Sequence, residues 1–126
     1  NILRGLHYQL NHPQAKLVQV NKGKVYDVAV DMRKNSPTFK KWIGVILSED
    51  NGYQLYIPRG FAHGFLALEQ DTQFSYKCDN FYVPGDEYGV KWNDESLKIQ
   101  WPKSTSIIVS KKDQLLPKFV DAKYFS

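Results

Sequence analysis

The chain has 126 residues, 42% of them apolar and 14% aromatic, with a net charge of +4. That length supports one domain with its own core, and the apolar fraction excludes a disordered chain. No apolar run approaches the roughly 20 residues that span a bilayer, no secretory leader is visible in the chain, and a single cysteine, Cys78, excludes an internal disulfide and points to a reducing, cytoplasmic setting.

From the start of the chain, Arg4-Gly5-Leu6-His7-Tyr8-Gln9 sets His7 between glycine and apolar residues, the surroundings of a side chain held on an early strand. His12 precedes Pro13 in a polar stretch and reads as a loop residue. Lys16–Asn21 and Lys24–Met32 flank Lys22-Gly23 and predict a hairpin, with Gly23 taking a positive φ in the turn. In the second run Tyr26, Val28 and Val30 share one face, and Val25, Asp27 and Ala29 share the other. An aspartate there needs a partner if it is buried; a solvated face of a one-sided sheet is the alternative.

Asn35-Ser36-Pro37 breaks the pattern. Phe39–Leu47, Tyr53–Ile57 and Phe61–Leu68 follow as strands, parted by Asp50-Asn51-Gly52 and Pro58-Arg59-Gly60. Thr72–Cys78 puts Phe74, Tyr76 and Cys78 on one face, Pro84-Gly85-Asp86 turns the chain, and Ser106–Val109 is a last short strand. Ser110-Lys111-Lys112-Asp113 fits a capping box that opens a short helix, which Pro117 stops. Many short strands with little helical periodicity predict an all-β domain, a closed barrel or a sandwich, with one short helical turn near the C-terminus.

Two of the three histidines, His7 and His63, sit among glycine and apolar residues. Each is either a base poised near pH 7 or a satisfied core histidine. A metal site needs three or four convergent ligands, often from an HxH pair on one strand, and no HxH, HxxE or CxxC occurs, so no metal is expected. Cys78 beside Lys77 reads as buried packing, no serine lies on a nucleophile elbow, and no glycine-rich phosphate loop is present. The basic excess is compatible with an anionic ligand. The lysines form no long run, so nucleic-acid binding is not expected; a solvated basic face is the plain alternative.

Leu3-Arg4-Gly5-Leu6-His7-Tyr8-Gln9, with Lys16-Leu17-Val18 and Val25-Tyr26-Asp27-Val28-Ala29-Val30-Asp31 after it, resembles the dTDP-4-dehydrorhamnose 3,5-epimerases. The resemblance runs on through Ser36-Pro37-Thr38-Phe39, Ile57-Pro58-Arg59-Gly60-Phe61-Ala62-His63-Gly64-Phe65 and Tyr76-Lys77-Cys78. It continues in Trp92-Asn93-Asp94, Trp101-Pro102 and Ser110-Lys111-Lys112-Asp113, and so covers nearly the whole chain in order.

That resemblance implies a jelly-roll barrel or sandwich of cupin type, acting as a homodimer without metal or coenzyme. The implied substrate is a dTDP-4-keto-6-deoxyhexose, dTDP-4-dehydro-6-deoxy-D-glucose, converted to dTDP-4-dehydro-L-rhamnose on the way to dTDP-L-rhamnose. His7 matches the family's base, Tyr76 its proton donor across the sugar ring, and Asp113 the carboxylate that orients the base. Lys16 and His63 match residues on the sugar's oxygens, and Asp27 a carboxylate behind His63. Arg4, Glu87 and Lys112 match nucleotide-binding positions, and Tyr82 is expected to stack on the ligand or to pack in the barrel.

Family members carry a further stretch before the position of Leu3, with residues that contact the nucleobase and others that reach a partner subunit. Residues 1–126 are therefore expected to be one epimerase domain core lacking that stretch. The readings left beside double epimerisation are epimerisation at C3 or C5 alone, a non-catalytic sugar-nucleotide-binding barrel, and a metal-dependent cupin enzyme.

Overall fold

The computed structural model describes residues 1–104 and 106–126. Its strands are β1 (Ile2–Gln9), β2 (Lys16–Lys22), β3 (Lys24–Asp31), β4 (Trp42–Ser48), β5 (Gln54–Ile57), β6 (Phe61–Ala67), β7 (Gln73–Cys78), β8 (Glu87–Gly89) and β9 (Ile108–Val109). The helical pieces are a single turn, α1 (Lys111–Gln114), and a 3-10 turn at Phe119–Asp121. Among the described residues no helix is long and apolar enough to cross a membrane.

The strands form two sheets. The larger has the order β4-β3-β6-β1-β8, with β9 running parallel to the start of β1; the smaller is β5-β2-β7. They stack as a sandwich, and among the described residues no ladder joins one sheet to the other, so the closed barrel is not the form adopted.

The hairpin expected around Gly23 is not formed. β2 pairs with β5 and β7, whereas β3 pairs with β4 and β6. Gly23 does take a positive φ, 88°, but the turn carries the chain from one sheet to the other. The reason is burial. Val18 and Val20 of β2 meet Val25 and Ala29 of β3 face to face, with Leu47 and Ile57, in the core between the sheets. Pairing β2 edge to edge with β3 would leave that core without one wall.

The larger sheet is covered on its other face too. Leu6, Val28, Val30, Met32, Ala62 and Val90 pack there under Leu97, Phe119, Trp101 and Tyr124 from the C-terminal half. Central β3 is thus buried on both sides, and each fully buried Val, Leu or Met contributes about 1.5–3 kcal/mol. Asp27, on the face toward the smaller sheet, has no exposed surface.

One irregularity in β1 shapes everything built on it. Leu3 and Arg4 pair with Leu66 and Phe65, His7 pairs with His63, and the register slips by one residue between them. Gly5 sits in this bulge at φ 121°, where a Cβ would come within 2.6 Å of the Gly64 Cα and 2.8 Å of the His63 carbonyl. A regular strand would turn residues three apart to opposite faces. The bulge re-aims the strand, and Arg4 and His7 line the same cavity.

Candidate active site

That cavity, of about 530 Å³, opens between the sheets. The larger sheet contributes His7 and His63, the smaller Lys16 and Tyr76, and α1 closes one side with Asp113.

His7 points its Nε2 at Asp113 Oδ1, 2.6 Å away. The other oxygen of Asp113 accepts the backbone N–H of Gly5 at 3.1 Å. Asp113 is 4% exposed, so these contacts hold it in place of water. An ionised carboxylate only accepts, so the proton of a neutral His7 ring stays on Nε2, and Nδ1 keeps the lone pair that can take another. The capping-box reading of Asp113 holds in half. Its N–H donates to Ser110 Oγ at 3.2 Å, but the carboxylate reaches Gly5 and His7.

A second pair lies deeper. His63 Nε2 is 2.6 Å from Asp27 Oδ1, with His63 6% exposed. The mid-strand aspartate therefore has a partner for Oδ1, while its buried Oδ2 meets no hydrogen-bond partner among the described residues. The His63 ring lies along Phe74, 6.1 Å between centroids at 22°, and Tyr76 meets it edge-on at 6.5 Å.

Tyr76 stands on β7 opposite Val18 of β2, two positions along from Lys16. The Lys16 ammonium is 5.6 Å from the centre of the Tyr76 ring. Burial pushes the pKa of Lys16 below the ordinary lysine value, against the pull of Cys78, Asp27 and Glu87. A cation held this way, with few waters around it, acts strongly on a ligand oxygen.

At the mouth, Lys112 Nζ donates to Glu87 Oε1 at 2.6 Å, and that contact raises the lysine's pKa. Arg4 lines the same cavity, so two cations and one carboxylate, Arg4, Lys112 and Glu87, border the route in for an anionic group. Tyr82 does not line the cavity. It is 59% exposed on the loop after β7, and so is not barrel packing. His12 is outside the cavity, where its Nδ1 lies 3.2 Å from Asp86, in the loop expected for it. Cys78, expected as buried packing, is exposed, because it ends β7 at the open edge of the smaller sheet.

Sequence reasoning missed Phe65 and Ser110, which line the cavity, and Phe74, which backs it. Phe65 was legible as the residue two along from His63, on the same face of β6. Among the described residues no group of three or more His, Cys, Asp or Glu side chains is placed to hold a metal ion.

Comparison with known proteins adds an independent line. The family profile described as dTDP-4-dehydrorhamnose 3,5-epimerase matches residues 1–121. A dTDP-4-dehydrorhamnose 3,5-epimerase of Shigella flexneri is 54% identical over 125 residues, which are 98% of this chain and 68% of that protein. One from Escherichia coli K12 is 52% identical over 117 residues, 92% of this chain and 63% of that one. Among solved structures, the dTDP-6-deoxy-D-glucose-3,5-epimerase of Legionella pneumophila Philadelphia 1, in complex with dTDP-4-keto-L-rhamnose, superposes with a TM-score of 0.93 at 47% identity. That match covers 95% of this chain and 64% of the other. The chain thus spans about two thirds of the length of the curated relatives it matches.

Proposed function

The chain belongs to the dTDP-4-dehydrorhamnose 3,5-epimerase family, and from that we propose that residues 1–126 form the catalytic core of a cofactor-free isomerase. It inverts C3 and C5 of dTDP-4-dehydro-6-deoxy-D-glucose to give dTDP-4-dehydro-L-rhamnose. It works as a homodimer in the cytoplasm, within dTDP-L-rhamnose synthesis.

The observation that carries this reading is the division of the cavity between the two sheets. A histidine with a carboxylate behind it stands on one, and a phenol beside a half-buried lysine on the other. Epimerisation next to a ketone needs this arrangement. The C4 carbonyl acidifies the C–H bonds at C3 and C5, so a base can remove either proton and leave an enolate. Inversion then requires a proton delivered to the opposite face of a near-planar centre. The ketone itself receives the electron pair, which is why no coenzyme is called for.

In this reading His7 Nδ1 takes the proton, and Asp113 orients the ring and stabilises its charged form. Tyr76 returns a proton from the other wall. Lys16 and His63 meet the C4 oxygen as charge develops on it, the kind of preorganised stabilisation that is often the largest catalytic contribution. Asp27 holds His63, and Arg4 and Lys112, with Glu87 setting the lysine's position, receive the diphosphate. Tyr82 stands by the nucleotide end.

The test is incubation with the 4-keto sugar nucleotide in deuterated water, followed by the mass and position of the label. Two exchanged centres are expected. His7→Asn should abolish exchange at both, with a rate loss of at least about 10²-fold. Tyr76→Phe should keep some exchange yet impair inversion, most clearly at C5. One exchanged centre in the unmodified protein would identify a mono-epimerase, and no exchange a binding barrel. Near-normal exchange in the His7 variant would place the base elsewhere.

A further inference from the structure

We infer that Ser110 is a positioning residue for the His7–Asp113 pair, its hydroxyl fixing the backbone of Asp113 while the Gly5 amide fixes the carboxylate. The inference rests on the reading of His7 as the base.

α1 is one turn of four residues. So short a helix does not hold itself, since its first turn orders several residues for a single hydrogen bond. Its position comes from what is attached to it. Just before it, Ile108 and Val109 of β9 lie parallel on Ile2 and Leu3 of β1, the strand that carries His7. Ser110 follows in an extended conformation, φ −63° and ψ 155°, the geometry of a helix cap. Its Oγ accepts from the Asp113 N–H at 3.2 Å, and its carbonyl accepts from the Gln114 N–H at 3.0 Å.

In an ordinary capping box the carboxylate three residues on turns back to the N–H of the cap residue. Here both oxygens of Asp113 are engaged elsewhere, one with His7 and one with Gly5. Asp113 is therefore held at two independent points, one from the cap and one from the bulge in β1. Deleting the Ser110 hydroxyl leaves a backbone N–H of a buried residue without its partner. The turn must then shift, and a carboxylate displaced by a fraction of an ångström no longer aims the His7 ring. Ser110 also borders the cavity, so a direct contact with the ligand is the competing explanation.

The experiment compares Ser110→Ala and Ser110→Thr with the unmodified protein. The first readout is the downfield proton NMR signal of a His7 Nε2–H bonded to Asp113. The second is the split of kcat and KM for deuterium exchange. Ser110→Ala is expected to broaden or remove the signal and to lower kcat about five- to tenfold, a cap's usual worth expressed as rate. KM should stay within about twofold, because the loss falls on orientation rather than on binding. Ser110→Thr, which keeps the acceptor, should restore both.

An unchanged signal with unchanged kcat in Ser110→Ala overturns the inference. So does a raised KM at constant kcat, which would make Ser110 a ligand contact. If the alanine variant does not fold, Ser110→Gly removes the hydroxyl while remaining a tolerated cap, and the same outcomes decide. If the unmodified protein exchanges no deuterium, the proposed function fails, while the NMR comparison still decides the role of Ser110.

Discussion

Replacing Gly5 by alanine probes the bulge on which the cavity depends. Two costs add. A φ of 121° is rarely open to an L side chain, and holding one there costs about 1–3 kcal/mol. The added Cβ would also sit 2.6 Å from the Gly64 Cα and 2.8 Å from the His63 carbonyl. Both are backbone atoms of the central strand β6 and cannot swing away, so overpacking adds a further ~1–3 kcal/mol. The expected loss is about 2–6 kcal/mol, a large part of the 5–15 kcal/mol that holds a typical domain.

Gly52→Ala is the control. Gly52 has a φ of 62°, and a Cβ there would meet nothing within 4 Å, so only the left-handed backbone cost of about 1–2 kcal/mol applies. Urea unfolding followed by tryptophan fluorescence gives both values from midpoint and slope. Deuterium exchange, run on the folded fraction, should fall in Gly5→Ala and stay unchanged in Gly52→Ala. A Gly5→Ala protein no less stable than the Gly52 variant would refute the reasoning, since it would mean that β1 regularises at no cost.

Two further outcomes concern charge. Burial lowers the pKa of Lys16, so a rate that needs its ammonium should fade on the alkaline side below the ordinary lysine range, about 10.4. Lys16→Arg should move that limb upward, and a pH–rate profile identical in the two proteins would assign the limb to another group. Burial pushes the Asp31 carboxyl up, but hydrogen bonds from Arg33, Ser36 and Thr38 outweigh it and hold the group well below the usual carboxylate range. Its contribution to stability is therefore complete above the unfolded value of about 3.9 and is lost as pH falls toward the folded one. Asp31→Asn should be about 2–3 kcal/mol less stable at pH 7 yet lose less between about pH 4 and 2; equal acid slopes in urea titrations would count against it.

The strands are legible in the sequence because each carries its own alternation. Lys24–Met32 and Phe61–Leu68 show it in residues two apart, and the structure ends them at Asp31 and Ala67. Partners are not legible in the same way. The Lys22-Gly23 turn announces a reversal, but whether the next strand returns to its neighbour or crosses to another sheet depends on Val18 finding Tyr76 more than fifty residues later. β8 has three residues, too few to show a period. The His7–Asp113 contact spans 106 positions, and local chemistry cannot see it; the family resemblance points to it, and the cap at Ser110 is its only local sign. The bulge is invisible as well, since Gly5 and Gly64 declare freedom of conformation without saying that each exists to make room for the other.

The two walls of the cavity are separate sheets, and what lies between them is Val18, Val25, Leu47 and Ile57. These side chains are therefore the spacer that sets the gap between the groups proposed to remove and to return a proton. Interiors pack densely enough that one methylene is felt. Substituting a larger or smaller residue at Val18, directly beside Tyr76 in the ladder, would move the proposed donor toward or away from a given ring carbon while every reactive group stayed in the sequence. If the proposed roles hold, stereochemical outcome in this molecule is a matter of upholstery as much as of chemistry, since the thickness of that layer sets which ring carbon the returning proton can reach.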